Sequence, residues 1–316
     1  MKITVLDAKT LGEDLSLEPL KELGECVIYN ETKPEEIAER INDTDVVIIN
    51  KIKLNETNLR YAKNLKLICL AATGYDNVDT VYCREHGIAV CNVVGYSSHS
   101  VAQLTATLVL ALSTNLTSYT EFVEKGKYKE SGVANRLTPV YHELFGKTWG
   151  IIGYGNIGKE VGGIAKALGC NVIYTRKTPD ENTVDIDILC KEADIITIHT
   201  PLNAETKHLI NEKRISLMKN DVIIVNVARG LVTDEEAVAN AIKEGRVGGF
   251  ATDVYSVEPF GENHPFNDIL NHPNVLLTPH MAWGAYEARK RCLDEIIENI
   301  KAFYNGDIRC RVDLLE

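Results

Sequence analysis

Three short stretches in the second half of the chain carry side chains suited to one reaction: NVARG with Arg229, VYSVEP with Glu258 and TPHMAW with His280. A guanidinium engages a carboxylate through two parallel hydrogen bonds and keeps an adjacent carbonyl aligned. An imidazole donates a proton to a carbonyl oxygen and takes it back in the reverse direction. A carboxylate bonded to the far ring nitrogen holds that imidazole and favours its charged form. Taken alone, His280 has three readings: a space-filling residue after a strand, a metal ligand or a proton donor. His264, His272 and His280 recur at a regular interval that fits no common zinc motif, so no metal is expected.

Each of the three stretches follows a short β-branched run. The runs belong to a series, NVIYT, DIITIHT, DVIIVNVA, GGFATDV and NVLLTPH, that alternates with helical patterns such as EEAVANAIKEG. Such alternation predicts a parallel sheet covered on both faces, and ligands of open parallel sheets bind beyond the carboxyl ends of the strands. Arg229, Glu258 and His280 all fall at such ends, so one crevice can gather them.

The series opens with TWGIIGYGNIG, which sets Gly153, Gly155 and Gly158 in the pattern G-x-G-x-x-G between a strand and the helical run KEVGGIAKALG. In that context the glycines give a tight turn and let backbone amides at a helix start approach a pyrophosphate. A dinucleotide cofactor is expected here, with Asn156 and Ile157 in the same turn. The second strand of such a unit normally ends in an acidic residue that accepts from the ribose hydroxyls. This chain has Tyr174, Thr175, Arg176 and Lys177 instead. With no carboxylate to repel it, a 2'-phosphate can sit against Arg176, so NADPH is expected at least as readily as NADH. His199, in IHTPL, is expected near the cofactor rather than in the chemistry.

An earlier series precedes this one. ITVLDA, CVIYNE, DVVIIN, KLICLAA and IAVCNV alternate with helical patterns, and SVAQLTATLVLALSTNL then reads as one long apolar helix leading out of a first domain. A polar, irregular stretch follows from about Lys125 to Lys147, and the final helix AYEARKRCLDEIIENIKAFYNG is long enough to return to the first domain. With 316 residues, 45% of them hydrophobic, two domains are the default. A net charge of -11 without a long basic stretch argues against nucleic acid and for a small-molecule ligand. The start MKITVLDA lacks signal-peptide features and no run suits a membrane span, so a cytoplasmic protein is expected. The eight cysteines form no CxxC pair and read as reduced core residues.

GYGNIG, NVARG, VYSVEP and TPH, with AATGYDNVD in the first domain, resemble the D-isomer-specific 2-hydroxyacid dehydrogenases over essentially the whole chain. The resemblance implies an α/β fold of two doubly wound parallel-sheet domains, a Rossmann cofactor domain (99–285) inserted into a flavodoxin-like substrate domain (1–98 plus 286–316). It implies NAD(P)-dependent interconversion of a 2-keto acid and a D-2-hydroxy acid, with Arg229, Glu258 and His280 catalytic. It implies that the backbone of Thr73 and Gly74 helps bind the substrate carboxylate and that Asp253 holds the nicotinamide carboxamide. Further cofactor contacts are implied at Thr200, Pro201, Val227 and Ala228, together with a homodimer formed through the cofactor domain.

HMAW followed by EAR looks most like the glycerate dehydrogenase and hydroxypyruvate reductase branch, with Trp283 as a pocket wall offering an indole N–H or else as a packing residue. Hydroxypyruvate is the first choice of substrate, ahead of glyoxylate, pyruvate and bulkier keto acids. Two other readings stand beside it. One is a formate-type dehydrogenase; the other is a non-enzymatic cofactor-sensing protein similar to the related corepressors.

Overall fold

The Val- and Ile-rich runs of the sequence become strands in both halves of the chain. A computed structural model describes residues 1–315 and divides into two units, Met1–Ser97 with Gly284–Glu316, and Ser98–Trp283. In the first unit β1 (Lys2–Val5), β2 (Glu25–Ile28), β3 (Val46–Ile49), β4 (Leu67–Leu70) and β5 (Ala89–Cys91) form a sheet of order β2-β1-β3-β4-β5. Every neighbouring pair is parallel, and β3 and β4 are buried throughout, as a sheet covered on both faces requires.

The helix Tyr286–Tyr304 belongs to this unit, and the side-chain amide of Asn299 on it donates to the Asn92 carbonyl at 3.0 Å. The chain then runs alongside β5. Arg311 forms an antiparallel bridge with Cys91, the Val312 amide donates to Val90 O at 2.9 Å, and Asp313 accepts from the Val90 amide at 2.8 Å.

In the second unit β6 (Thr148–Ile152), β7 (Asn171–Thr175), β8 (Ile195–Ile198), β9 (Ile223–Asn226), β10 (Gly249–Thr252) and β11 (Val275–Leu277) take the order β11-β10-β9-β8-β6-β7. All pairs are again parallel. Alternation along each strand sorts residues onto the two faces. Ile196, Ile224 and Phe250 enter one core with Val238 and Ile242 of helix Glu235–Lys243. Ile195, Val225 and Ala251 enter the other, with Trp149 and Ile151 of β6 and with Val101, Leu108 and Val109 of helix Ser98–Ser113. The buried indole N–H of Trp149 donates to the Thr197 hydroxyl at 3.1 Å, so the largest core residue leaves no polar atom unsatisfied.

One expectation is corrected. The long apolar helix is present as Ser98–Ser113 but stops short of the expected end: Asn115 turns left-handed at φ 50, and a second helix covers Leu116–Glu124. The hydroxyls of Ser113 and Thr114 both turn back onto Leu110 O, and Asn tolerates the left-handed conformation better than most residues.

This sheet order has its switch point at β6, flanked by β7 on one side and β8 on the other. The C-terminal ends of β6 and β8 therefore frame the crevice in which such sheets bind ligands.

Candidate active site

At the switch point the three glycines have three separate jobs. Gly153 follows β6 at φ +93, and a Cβ there would lie 2.8 Å from the backbone of His199, so β8 closes directly against it. A Cβ on Gly158 would collide with the Gly153 carbonyl, so this glycine seats the helix Asn156–Ala167 on the turn. A Cβ on Gly155 would meet nothing, because the space in front of the helix start is open. Asn156 and Ile157 form the first turn of that helix. Open space facing free amides at a helix N-terminus suits a pyrophosphate. The Gly153 and Tyr154 amides both donate to Thr175 O, at 3.1 and 3.0 Å, which ties the turn to the end of β7.

His199, Thr200 and Pro201 continue from β8 at the same edge. The His199 amide donates to Ile152 O at 2.7 Å, while both ring nitrogens are buried without a hydrogen-bond partner. Burial pushes this imidazole down to about 3, so it is neutral at physiological pH. A buried, unpartnered donor and acceptor beside the glycine turn fits a polar ligand there.

Beyond β7, the structure overturns the premise on which NADPH was expected. A carboxylate does stand beside Arg176. Asp180 folds back, and its oxygens accept from Arg176 at 2.8 Å, from Tyr174 OH at 3.0 and 3.1 Å, from Thr183 Oγ1 at 3.0 Å and from the Asn182 amide at 3.1 Å. Partial burial opposes its ionisation, but these donors outweigh that and hold the carboxyl at about 2. The offset of Asp180 from the strand end is set by a turn rather than by sheet geometry, which is why the sequence pattern does not reveal it.

The catalytic candidates stand on the ends of β9, β10 and β11. After β9, buried Asn226 clamps a tight turn: its side-chain amide donates to Arg229 O at 2.9 Å and its oxygen accepts from the Ala228 amide at 3.0 Å. Val227 and Ala228 lie inside that turn, and the Arg229 guanidinium donates to Ala228 O at 2.9 Å. Next comes Gly230, where a Cβ would overlap the peptide joining Tyr255 to Ser256.

After β10, the Tyr255 amide donates to Glu258 Oε1 at 3.0 Å and the Ser256 amide to Glu235 Oε1 at 2.8 Å. The Tyr255 hydroxyl reaches the next strand end and donates to Thr278 O at 2.8 Å. One residue, Tyr255, thus connects the arginine turn, the glutamate turn and the histidine turn.

Two members of this support were missed by sequence reasoning. Glu235 is nine-tenths buried, and its Oε2 lies 3.0 Å from His264 Nε2. Because His264 Nδ1 accepts from the Phe266 amide, Nε2 carries the proton of the neutral ring. The Nε2–H does not point squarely at the carboxylate, so the two groups are in close polar contact without a directed hydrogen bond. His264 is therefore partnered with an acid and packed by Phe260 and Phe266. His272 has a separate local role, accepting from the Asn274 amide. Among the described residues no group of three or more His, Cys, Asp or Glu is placed to hold a metal.

After β11, His280 Nδ1 meets Glu258 Oε2 at 2.5 Å, with the two side chains 25% and 32% exposed. A carboxylate only accepts, so Nδ1 is the donor and Nε2 is left for a substrate. His280 itself adopts φ 52, a conformation costing about 1–2 kcal/mol for a residue with a Cβ. Two residues over-determine it. Asp253, 1% exposed, accepts from Thr278 Oγ1 at 2.6 Å, the Met281 amide at 2.9 Å and the Ala282 amide at 2.8 Å. The Trp283 indole N–H donates to His280 O at 3.0 Å.

These contacts revise two expectations. The indole N–H of Trp283 is engaged with the histidine turn, so it is not a donor offered to substrate. Both oxygens of Asp253 serve the loop, leaving only remaining lone pairs for a carboxamide. Thr73 and Gly74 lie in the first unit, after β4, where Thr73 Oγ1 donates to Val93 O at 2.8 Å and Thr73 O accepts from Asn92 at 2.7 Å.

Comparison with known proteins identifies the family. Residues 106–282 match the family described as D-isomer specific 2-hydroxyacid dehydrogenase, NAD binding domain. The chain belongs to this family. It is 34% identical to a glycerate dehydrogenase of Methylorubrum extorquens over 96% of both chains. It is 36% identical to a hydroxypyruvate reductase of Blautia hydrogenotrophica, over 97% of this chain and 98% of the other. Among solved structures, an acyclic imino acid reductase in complex with NADPH and D-Arg superposes with a TM-score of 0.87 at 30% identity, covering 99% of this chain and 100% of that one. The protein is an NAD(P)-dependent D-2-hydroxyacid dehydrogenase. No helix among its described residues is long and apolar enough to cross a membrane.

The buried imidazole gives a prediction for stability. The folded state holds His199 far below its ordinary value of 6.5, so the unfolded chain binds the extra proton between about 6.5 and about 3. Stability from this group is full above that window and is lost as pH falls through it. Chemical denaturation at a series of pH values should show His199→Leu losing less stability than the parent on acidification from about pH 7 to about pH 4. Parallel curves would remove His199 from that role.

Proposed function

We propose that this dehydrogenase interconverts hydroxypyruvate and D-glycerate, with His280 as the acid-base residue, Glu258 as its partner and Arg229 as the carboxylate anchor. The observation that carries the reading is the 2.5 Å contact between Glu258 and His280 Nδ1, which leaves Nε2 as the one ring position for a substrate oxygen.

A bound nicotinamide dinucleotide supplies a hydride to the carbonyl carbon in one direction and takes it back in the other. Arg229 engages the substrate carboxylate and orients the adjacent carbonyl. His280 passes its Nε2 proton to the carbonyl oxygen as the carbon–oxygen π bond opens, giving a hydroxyl and a neutral imidazole that regains its proton from solvent. Glu258 stabilises the charged ring before transfer. Thr73 and Gly74 are proposed as substrate contacts on the motif AATGYDNVD alone. The choice of hydroxypyruvate is supported by the similarity to relatives named for that substrate and its product. A formate-type reaction has no carbonyl oxygen to protonate and would leave the Glu258–His280 pair without work.

The homodimer is proposed through the second unit. Leu137, Val140 and Phe145 are 75%, 69% and 78% exposed on the irregular stretch after helix Lys127–Ser131, with Val133 exposed beside them. Apolar side chains clustered on a surface are suited to a second copy.

Three outcomes are expected. In assays of NAD(P)H oxidation with 2-keto acids, hydroxypyruvate should give the highest kcat/KM; glyoxylate or pyruvate exceeding it tenfold would displace it. His280→Asn should lower kcat at least ~100-fold with cofactor affinity retained, and Glu258→Gln should lower kcat by a smaller factor. Near-normal turnover in His280→Asn would end its assignment. Sedimentation should give twice the chain mass, with Leu137→Lys and Val140→Lys together giving the monomer; an unchanged dimer would place the interface elsewhere.

A further inference from the structure

The end of β7 offers an inference about cofactor choice, which rests on the dinucleotide reading of the glycine turn. Thr175 O holds the Gly153 and Tyr154 amides, so Arg176 leaves the sheet directly beside that turn. This is the place where a nucleotide-binding unit meets the adenosine ribose, and where a carboxylate favours free hydroxyls and a lone cation favours a 2'-phosphate. Here the cation is not alone.

Asp180 is fixed independently of Arg176. The Asn182 amide, Thr183 Oγ1 and Tyr174 OH all donate to it, and the Tyr174 ring stacks on Tyr154 of the glycine turn with centroids 3.8 Å apart and an interplanar angle of 6°. The Asp180 amide also donates to Thr183 Oγ1 at 2.9 Å. Arg176 and Asp180 are each about one-third exposed (34% and 36%), and ion pairs at that exposure are weak. A phosphate can therefore draw the guanidinium away. It cannot draw away the carboxylate, which stays behind as a fixed negative charge.

We propose that Asp180 sets the cofactor preference of this dehydrogenase, by neutralising Arg176 and by supplying near the ribose the carboxylate that the strand end lacks, so that NAD(H) is bound in preference to NADP(H). Lys177, next along the chain, adds a further cation to the same region. The preference is accordingly moderate and can be reversed by a single substitution. Asp180→Asn preserves shape and part of the hydrogen bonding while removing the charge, and leaves Arg176 as an unopposed phosphate ligand.

The test is equilibrium binding without keto acid. Dissociation constants for NADH and NADPH are measured by fluorescence titration on the parent, Asp180→Asn, Asp180→Ser and the double variant Asp180→Asn with Arg176→Ala, and folding is checked by thermal melting. The parent should bind NADH more tightly. Either single variant should shift the affinity ratio toward NADPH by about tenfold or more, as removal of one like charge near a phosphate predicts, and the double variant should lose that gain. A parent that prefers NADPH, or a ratio unmoved in both folded single variants, overturns the proposal and leaves the dehydrogenase reading intact. A folded parent that binds neither dinucleotide overturns the cofactor reading, and this inference with it.

Discussion

The site depends on one short segment, Tyr255 with Ser256. The bond between Tyr255 and Ser256 is pressed against Gly230, and its neighbourhood gives one amide to Glu258 and one to Glu235, while the Tyr255 hydroxyl reaches the carbonyl of Thr278. Three strand ends, each soft on its own, are locked to one another by groups that cannot move separately. Any side chain larger than hydrogen at position 230 would push the peptide away and with it the carboxylate that steadies the imidazole. The Glu235–His264 contact buries a second acid-base pair behind this peptide, where its work is support rather than chemistry.

The histidine turn shows how local strain is held. His280 would relax from its left-handed conformation if its loop were loose. Asp253 prevents this by gathering two consecutive amides and a hydroxyl, and Trp283 by fixing the carbonyl. The orientation of Nδ1 toward Glu258 is thus a property of the backbone as much as of the side chains. A proton donor held in this way needs little reorganisation when a substrate arrives.

Much of this was legible in the residues. The strands announce themselves as β-branched runs, the glycine spacing marks the turn, and Arg229, Glu258 and His280 stand out because each lies beyond the carboxyl end of a strand. What the sequence hides is any partnership made by a turn or across the core. Asp180 reaches Arg176 only because an amide and two hydroxyls fold it back. Glu235 and His264 come from separate segments, and nothing in their spacing announces that they meet. Whether Trp283 walls a pocket or packs is open in one dimension; folded, its indole N–H faces the histidine carbonyl. The break at Asn115 was lost for a similar reason, since apolar periodicity continues through it while the backbone does not.

In the first unit, the segment from Cys310 to Asp313 lies along β5 and occupies the amide and carbonyl of Val90. β5 borders the sheet, and an uncovered border of this kind is a template on which strands of other molecules can grow. The segment Cys310 to Asp313 therefore acts as a selvedge: it finishes the woven edge so that it does not catch. Removing it would uncover Val312, which is buried in the core of this unit, and would turn a closed margin into an adhesive one.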